Sequence, residues 1–163
     1  MTRLTLPAII LVALAGQASA QSDEAGIEGR KLAETIFASM LSPGGDHVNM
    51  GDIEQFRASS FAAMDGDGDG QVSYAEFASW DPGFARIAET QGRGEAYVTA
   101  SKIVYAFWDR DGNDSLNERE YRIAMSHDFR RADLDGDALL SESEFIGGFP
   151  MMVAMRAAIR PDL

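Results

Sequence analysis

Residues 65–76 read DGDGDGQVSYAE, and this stretch decides the fold of the chain. Its carboxylates stand at alternate positions, where like charges repel, and a glutamate closes the segment. Repulsion of this kind is relieved either by full solvation or by a bound cation, whose positive charge attracts every carboxylate at once. The stretch is therefore either a solvated, flexible loop or a cation site.

The stretch recurs twice without gaps, as DRDGNDSLNERE at residues 109–120 and DLDGDALLSESE at residues 133–144. Each window has Asp at its first and third places, Asp or Asn at its fifth, an aliphatic residue at its eighth and Glu at its twelfth. The three windows hold 14 of the 26 acidic residues of the chain. The acidity is therefore concentrated in these segments, which favours the cation site.

The pattern resembles the calcium-binding loop of EF-hand proteins, and residues 65–76 match it at every place. Calcium takes roughly six to eight oxygen ligands at about 2.3–2.6 Å. The resemblance implies side-chain ligands at the first, third, fifth and twelfth places and a backbone carbonyl ligand at the seventh. The predicted metal ligands are Asp65, Asp67, Asp69, Gln71 and Glu76; Asp109, Asp111, Asn113, Ser115 and Glu120; and Asp133, Asp135, Asp137, Leu139 and Glu144.

The later places of each loop predict how it joins the rest of the fold. The aliphatic residue at the eighth place is expected to turn inward and to join two loops through a short strand pair. The ninth and twelfth residues form the S/N-x-x-E pattern of a capping box, which starts the outgoing helix. The residues concerned are Val72, Leu116 and Leu140 at the eighth place, and the pairs Ser73–Glu76, Asn117–Glu120 and Ser141–Glu144.

The sixth place distinguishes the three loops, because the chain is expected to turn there with a positive φ. Gly70 suits that conformation, Asp114 tolerates it better than most residues, and Ala138 does not. We therefore rank loop 65–76 first for calcium. Loop 109–120 is also weakened by Asn113, and loop 133–144 is rich in charge but strained.

A fourth, degenerate copy is predicted at residues 41–52, because VNMGDI at 48–53 aligns with VSYAEF at 72–77. Its first, third and fifth places are Leu41, Pro43 and Gly45, which carry no charge, so no calcium is expected there. Since EF-hands usually pair, this copy is predicted to be a structural partner. The short spacing between loops 109–120 and 133–144 favours pairing of loop 65–76 with 109–120 and of loop 133–144 with 41–52.

The rest of the chain shows helical periodicity and no strand-like run longer than a few residues. The predicted class is all-α, with EF-hand helix-loop-helix repeats and short β-bridges between paired loops. Helices are predicted over 28–40, 52–64, 73–80, 84–90, 95–108 and 118–132, and from about 142 with an interruption at 147–150.

The composition excludes several classes of function. The net charge of −12 disfavours nucleic acid and anionic membrane surfaces as partners. The chain has no cysteine and only two histidines, so disulfides, thiolate sites and a zinc site of the usual kind have little to draw on. Without a Ser-His-Asp set or a phosphate-cradling glycine loop, the chain is not predicted to be an enzyme.

The N-terminal twenty residues have the pattern of a bacterial Sec-type signal peptide. Arg3 precedes an apolar run, and Ala18–Ala20 form an A-x-A site with cleavage expected after Ala20. A transmembrane anchor is the alternative, but the run is shorter than the ~20 apolar residues of a span. The predicted organisation is a signal peptide at 1–20, a flexible lead-in at 21–27 and an EF-hand domain at 28–163, in the periplasm or secreted.

Three functions remain open. A calcium sensor would expose an apolar face to a protein or peptide partner, whereas a buffer or calcium-stabilised module would only fold around the ion. A dockerin-like adhesion module is more distant, since dockerin loops usually close with Asp. Six methionines are expected to fill the core, and an apolar groove that opens on calcium binding is the alternative for them; they are Met40, Met64, Met125, Met151, Met152 and Met155.

Overall fold

The computed structural model describes the backbone of residues 13–160 and the side chains of residues 26–160. Within that part, helices dominate and the four strands have two or three residues each, so the predicted all-α class is confirmed. The helices are α1 (Ala13–Met40), α2 (Met50–Met64), α3 (Tyr74–Ser79), α4 (Phe84–Thr90), α5 (Gly94–Trp108), α6 (Glu118–Ala132), α7 (Glu142–Gly148) and α8 (Pro150–Ile159). The strands are β1 (Val48–Asn49), β2 (Gln71–Ser73), β3 (Ser115–Asn117) and β4 (Leu139–Leu140).

Most helix limits agree with the sequence prediction, and α1 is the exception. It includes residues 21–27, so the segment predicted as a flexible lead-in has a helical backbone here. Gln21, Glu24 and Ala25 in this segment are good helix formers, which is compatible with a helical backbone. Residues 1–12 lie outside the described part, and no side chain of the predicted signal peptide lies within it.

The strand pairs join the loops in the predicted combinations. β2 pairs antiparallel with β3, and Val72 faces Leu116. β1 pairs antiparallel with β4, and Val48 faces Leu140. The pairing of loop 65–76 with 109–120, and of loop 133–144 with 41–52, is thereby confirmed.

Two helices connect these strand pairs. α2 leaves loop 41–52 and enters loop 65–76, whereas α6 leaves loop 109–120 and enters loop 133–144. α2 therefore runs from the β1–β4 pair to the β2–β3 pair, and α6 runs in the opposite direction while packing against α2. The two pairs of loops lie at opposite ends of this helix pair.

An aromatic cluster supports the β2–β3 end of the core. The Phe77 ring lies 5.6 Å from the rings of Tyr105 and Trp108, and Trp108 lies 5.2 Å from Tyr121. All four side chains are buried. Their packing anchors α3, α5 and α6 behind the loops.

The six methionines are all buried in this structure, which confirms the expectation that they fill the core. They pack with the core, and each exposes 7% of its surface or less. The residues are Met40, Met64, Met125, Met151, Met152 and Met155.

Across residues 13–160, no helix combines the length and the apolar character that crossing a bilayer demands.

Candidate metal centre

Three carboxylates converge in each of the loops 65–76, 109–120 and 133–144. They come from the first, third and twelfth places, and one oxygen from each lies within 4.8 Å of the others. The groups are Asp65, Asp67 and Glu76; Asp109, Asp111 and Glu120; and Asp133, Asp135 and Glu144. A donor set made only of carboxylate oxygens fits a hard cation such as calcium.

The first aspartate organises the backbone of its loop. Asp65 Oδ1 accepts hydrogen bonds from the N–H groups of Gly68 at 2.9 Å and Asp69 at 3.1 Å, and Oδ2 accepts one from Gly70 at 3.0 Å. Asp109 accepts the three equivalent bonds in its loop, and Asp133 accepts two of them, from Gly136 and Ala138. These charge-assisted bonds offset part of the repulsion between the carboxylates.

The closing glutamate connects the two ends of its loop. Glu76 Oε1 accepts the N–H of Gly66 at 3.0 Å, and Oε2 accepts the N–H of Ser73 at 2.8 Å. Hydrogen bonds from the backbone and hydroxyl of Ser73, followed by that from Gly66, hold the pKa of Glu76 below its ordinary value. Ser141 lowers the pKa of Glu144 in the same way. Both carboxyls are therefore ionised, as a metal ligand requires, at neutral pH.

Each predicted capping box is present. The ninth residue accepts from the N–H of the twelfth, whose carboxylate accepts from the N–H of the ninth. The same three glutamates therefore belong to the acidic groups and to the first turns of α3, α6 and α7.

The fifth and seventh places behave differently from the other predicted ligands. Asp69 and Asp137 lie outside the three acidic groups. Asp69 Oδ1 accepts the N–H of Gln71 at 2.8 Å, and Asp137 Oδ1 accepts that of Leu139 at 2.8 Å. Asn113 Oδ1 accepts the N–H of Ser115 in the second loop. The ligand roles of the fifth and seventh residues stay predictions.

The sixth place has a positive φ in all three loops, as the sequence predicted. The values are 81° at Gly70, 63° at Asp114 and 65° at Ala138. Alanine carries a Cβ that clashes with its own backbone in this region, so Ala138 is strained.

Replacing Ala138 with glycine is expected to stabilise the calcium-free protein by about 1 kcal/mol, because glycine adopts positive φ without this clash. Urea unfolding in the presence of a chelator measures the change. Ala63→Gly is the matched control, since Ala63 is exposed within α2 and glycine should destabilise the protein by a similar amount there. Equal signs for the two variants would contradict the strain at Ala138.

Glycine at the fourth place is a signal that the sequence analysis missed. Gly68, Gly112 and Gly136 have φ values of 74°, 70° and 75°. Each donates its N–H to the first aspartate of its loop. All three windows have glycine at this place, so the repeat alone could have revealed this second turn.

The degenerate loop 41–52 is closed by hydrogen bonds within the protein. Asp52 stands at its twelfth place, and its Oδ1 accepts the hydroxyl of Ser42. Asp52 Oδ2 accepts the N–H of Asn49 at 2.9 Å, and the two residues form a capping box for α2. The side chain of Asp52 is shorter than that of Glu76. The hydroxyl of Ser42 therefore donates to Asp52 the hydrogen bond that a backbone N–H donates to Glu76. The absence of calcium from this loop stays a prediction.

A comparison with protein families finds a match to the EF hand family over residues 56–79. That range contains most of α2, loop 65–76 and α3. The fold is that of EF-hand proteins. The match and the three acidic groups together support an EF-hand protein and suggest calcium binding. A search of curated proteins gave no match.

Proposed function

We propose that the chain is a calcium sensor that works in the periplasm or outside the cell and has no catalytic activity. The carrying observation is the convergence of three carboxylates in each of the EF-hand loops 65–76, 109–120 and 133–144. These oxygens, together with the predicted fifth- and seventh-place ligands, supply the donors that calcium prefers. Extracytoplasmic EF-hand-type sites function with dissociation constants of roughly 10⁻⁴–10⁻³ M, so weak sites suffice there.

An apolar cavity supports a sensor over a simple buffer. Its volume is about 180 Å³, and its walls come from α1, α2, α6, α7 and α8 and from the segment that follows α3. Trp80 lies four residues after Glu76, and Phe145 follows Glu144 directly. Trp80 directly follows α3 and Phe145 lies in α7, and each of these helices has its closing glutamate in the first turn. A shift of Glu76 or Glu144 toward an ion is therefore expected to move these two parts of the cavity wall.

The cavity is suited to an apolar side chain of a protein or peptide partner. Four methionines line it, namely Met40, Met125, Met151 and Met152. Methionine is flexible and polarisable, so these walls can repack around an incoming group. We propose that calcium widens this cavity toward solvent and that the partner inserts an apolar anchor.

A calcium titration of residues 21–163, followed by amide NMR with magnesium present, tests the sensor function. We expect shifts in the three loops and also at Met125, Met151 and Met152, because helices that leave the loops carry or contact the cavity walls. Shifts confined to the loops and their first helical turns would instead indicate a buffer or a calcium-stabilised module. No shifts at all would contradict calcium binding.

The proposed location rests on the residue pattern of 1–20. The experiment is to express the full chain with its own N-terminus and to determine the intact mass of the protein in the extracytoplasmic fraction. We expect a chain that begins at Gln21. A full-length product retained in the membrane would support the anchor instead.

A further inference from the structure

The hydroxyl of Tyr105 lies between two calcium loops. It is 2.8 Å from the carbonyl oxygen of Val72 in loop 65–76 and 3.0 Å from that of Asp114 in loop 109–120. Only 5% of the Tyr105 surface is exposed. Burial raises the pKa of Tyr105 to about 12, so the hydroxyl keeps its proton at neutral pH and acts as a donor.

The helix-loop-helix units around the other three loops, here called hands, show that packing does not need this hydroxyl. Tyr105 stands four residues before the first place of its loop, and the same position is occupied by Phe37, Phe61 and Phe129 in the other hands. All four rings are buried in the core. Phenylalanine therefore fills this position in three hands of four, and the hydroxyl is an addition found where two acidic loops are paired.

The two carbonyls that it contacts are neighbours of predicted ligands. Val72 follows Gln71, and Asp114 precedes Ser115, and both Gln71 and Ser115 are seventh-place residues. The Tyr105 hydroxyl has one proton, which the two carbonyl oxygens share. A displacement of the seventh-place carbonyl in one loop moves its neighbour, and the hydrogen bond from Tyr105 to the other loop changes as a result. Asp114 also adopts the positive φ at the sixth place of its loop, so the orientation of its carbonyl is sensitive to the hydrogen bond from Tyr105.

We propose that Tyr105 is a positioning residue that couples the calcium affinity of loop 65–76 to that of loop 109–120. This inference rests on the proposed calcium function. Two other links join the same loops, namely the β2–β3 ladder and the hydrogen bond from Ser115 Oγ to Gln71 Oε1 at 2.9 Å. Tyr105 therefore carries a part of the coupling.

The test is a double-mutant cycle on the full mature chain with calcium as the ligand. The affinity of loop 65–76 is measured by NMR titration with loop 109–120 intact and with it disabled by Glu120→Gln, in the wild-type and Tyr105→Phe backgrounds. The coupling is the ratio of the loop 65–76 affinity with loop 109–120 intact to its affinity with loop 109–120 disabled. We expect Tyr105→Phe to lower this ratio by about threefold to tenfold, which is the effect of one hydrogen bond. A loss of stability alone would lower both affinities and leave their ratio unchanged.

Tyr97→Phe is the matched control. It also removes a tyrosine hydroxyl, which donates to Asp81 at 2.7 Å outside the loops, and the ratio should keep its wild-type value. An unchanged ratio in Tyr105→Phe, or a wild-type ratio of one, would overturn the role of Tyr105 while leaving calcium binding in place. No calcium binding by the wild type would instead remove the proposed function, and this inference with it.

Discussion

Replacing Glu76 with glutamine is expected to lower the calcium affinity of loop 65–76 by about 100-fold or more. Removing an outer-shell partner of a metal ligand already costs roughly 10–100-fold in affinity, and Glu76 is predicted to be the ligand itself. Glutamine has the same length, and its one amide oxygen can still accept the N–H of Ser73, so the capping box and the start of α3 should persist while the bond from Gly66 is lost. Titration calorimetry combined with NMR measures the affinity of this loop.

Glu118→Gln is the control for charge alone. Glu118 is exposed in loop 109–120 at a place that is not predicted to bind metal, and an exposed charge contributes little. Glu120→Gln and Glu144→Gln complete the series and test the ranking of the loops. We expect the largest loss from Glu76→Gln, and equal losses in all three variants would contradict the ranking.

Replacing Asp128 with asparagine is expected to stabilise the calcium-free protein by about 2 kcal/mol at pH 7 and to have little effect at pH 4.5. Asp128 lies on α6, exposes 4% of its surface and accepts the indole N–H of Trp108 at 3.1 Å. Burial is the largest influence and raises the pKa of Asp128 to about 6 from an ordinary 3.8. Asparagine keeps an acceptor for Trp108 without the buried charge.

The sign follows from proton binding. Because the folded pKa is the higher one, the folded state binds the proton more tightly, and ionisation of Asp128 lowers the free energy of unfolding as the pH rises from about 4 to about 6. The full penalty is roughly 3 kcal/mol, from which about 1 kcal/mol is subtracted for the unpaired amide of the asparagine.

Urea unfolding with chelator at both pH values checks this result. The loop carboxylates contribute equally to the free energy of unfolding of the variant and the wild type. The difference between these two free energies therefore reports on Asp128 alone. Glu89→Gln removes an exposed carboxyl and should show no such difference. A stabilisation by Asp128→Asn that is equal at pH 4.5 and pH 7 would be inconsistent with a buried ionised carboxylate.

Helix limits could be predicted from sequence where the loop pattern sets both ends. α6 begins after the capping residue Asn117 and ends before Asp133, and its limits agree with the prediction. α2 begins two residues earlier than predicted, because Asn49 and Asp52 form a capping box that the degenerate loop concealed. α1 has no comparable signal at its start, so its extension through residues 21–27 was not foreseen.

The candidate site was predictable to the extent that it repeats. The first, third and twelfth places recur at a fixed spacing, and the structure brings their carboxylates together. The contacts of Tyr105 with both loops, and of Ser42 with Asp52, depend on how the chain folds in three dimensions. The buried environment of Asp128 likewise comes from Trp108 on another helix. No local pattern encodes such contacts.

The antiparallel arrangement of α2 and α6 sets the distance between the two ends of the protein. Each helix has 15 residues and is therefore about 22 Å long. The Debye length at physiological ionic strength is about 8 Å, so exposed charges at one end are screened from those at the other. Ions at loop 133–144 and at the 65–76 and 109–120 pair therefore do not sense each other through their fields. Communication between the ends therefore depends on movement of packed helices, such as α2 against α6 or α5 against α8, and added salt should leave that movement unchanged.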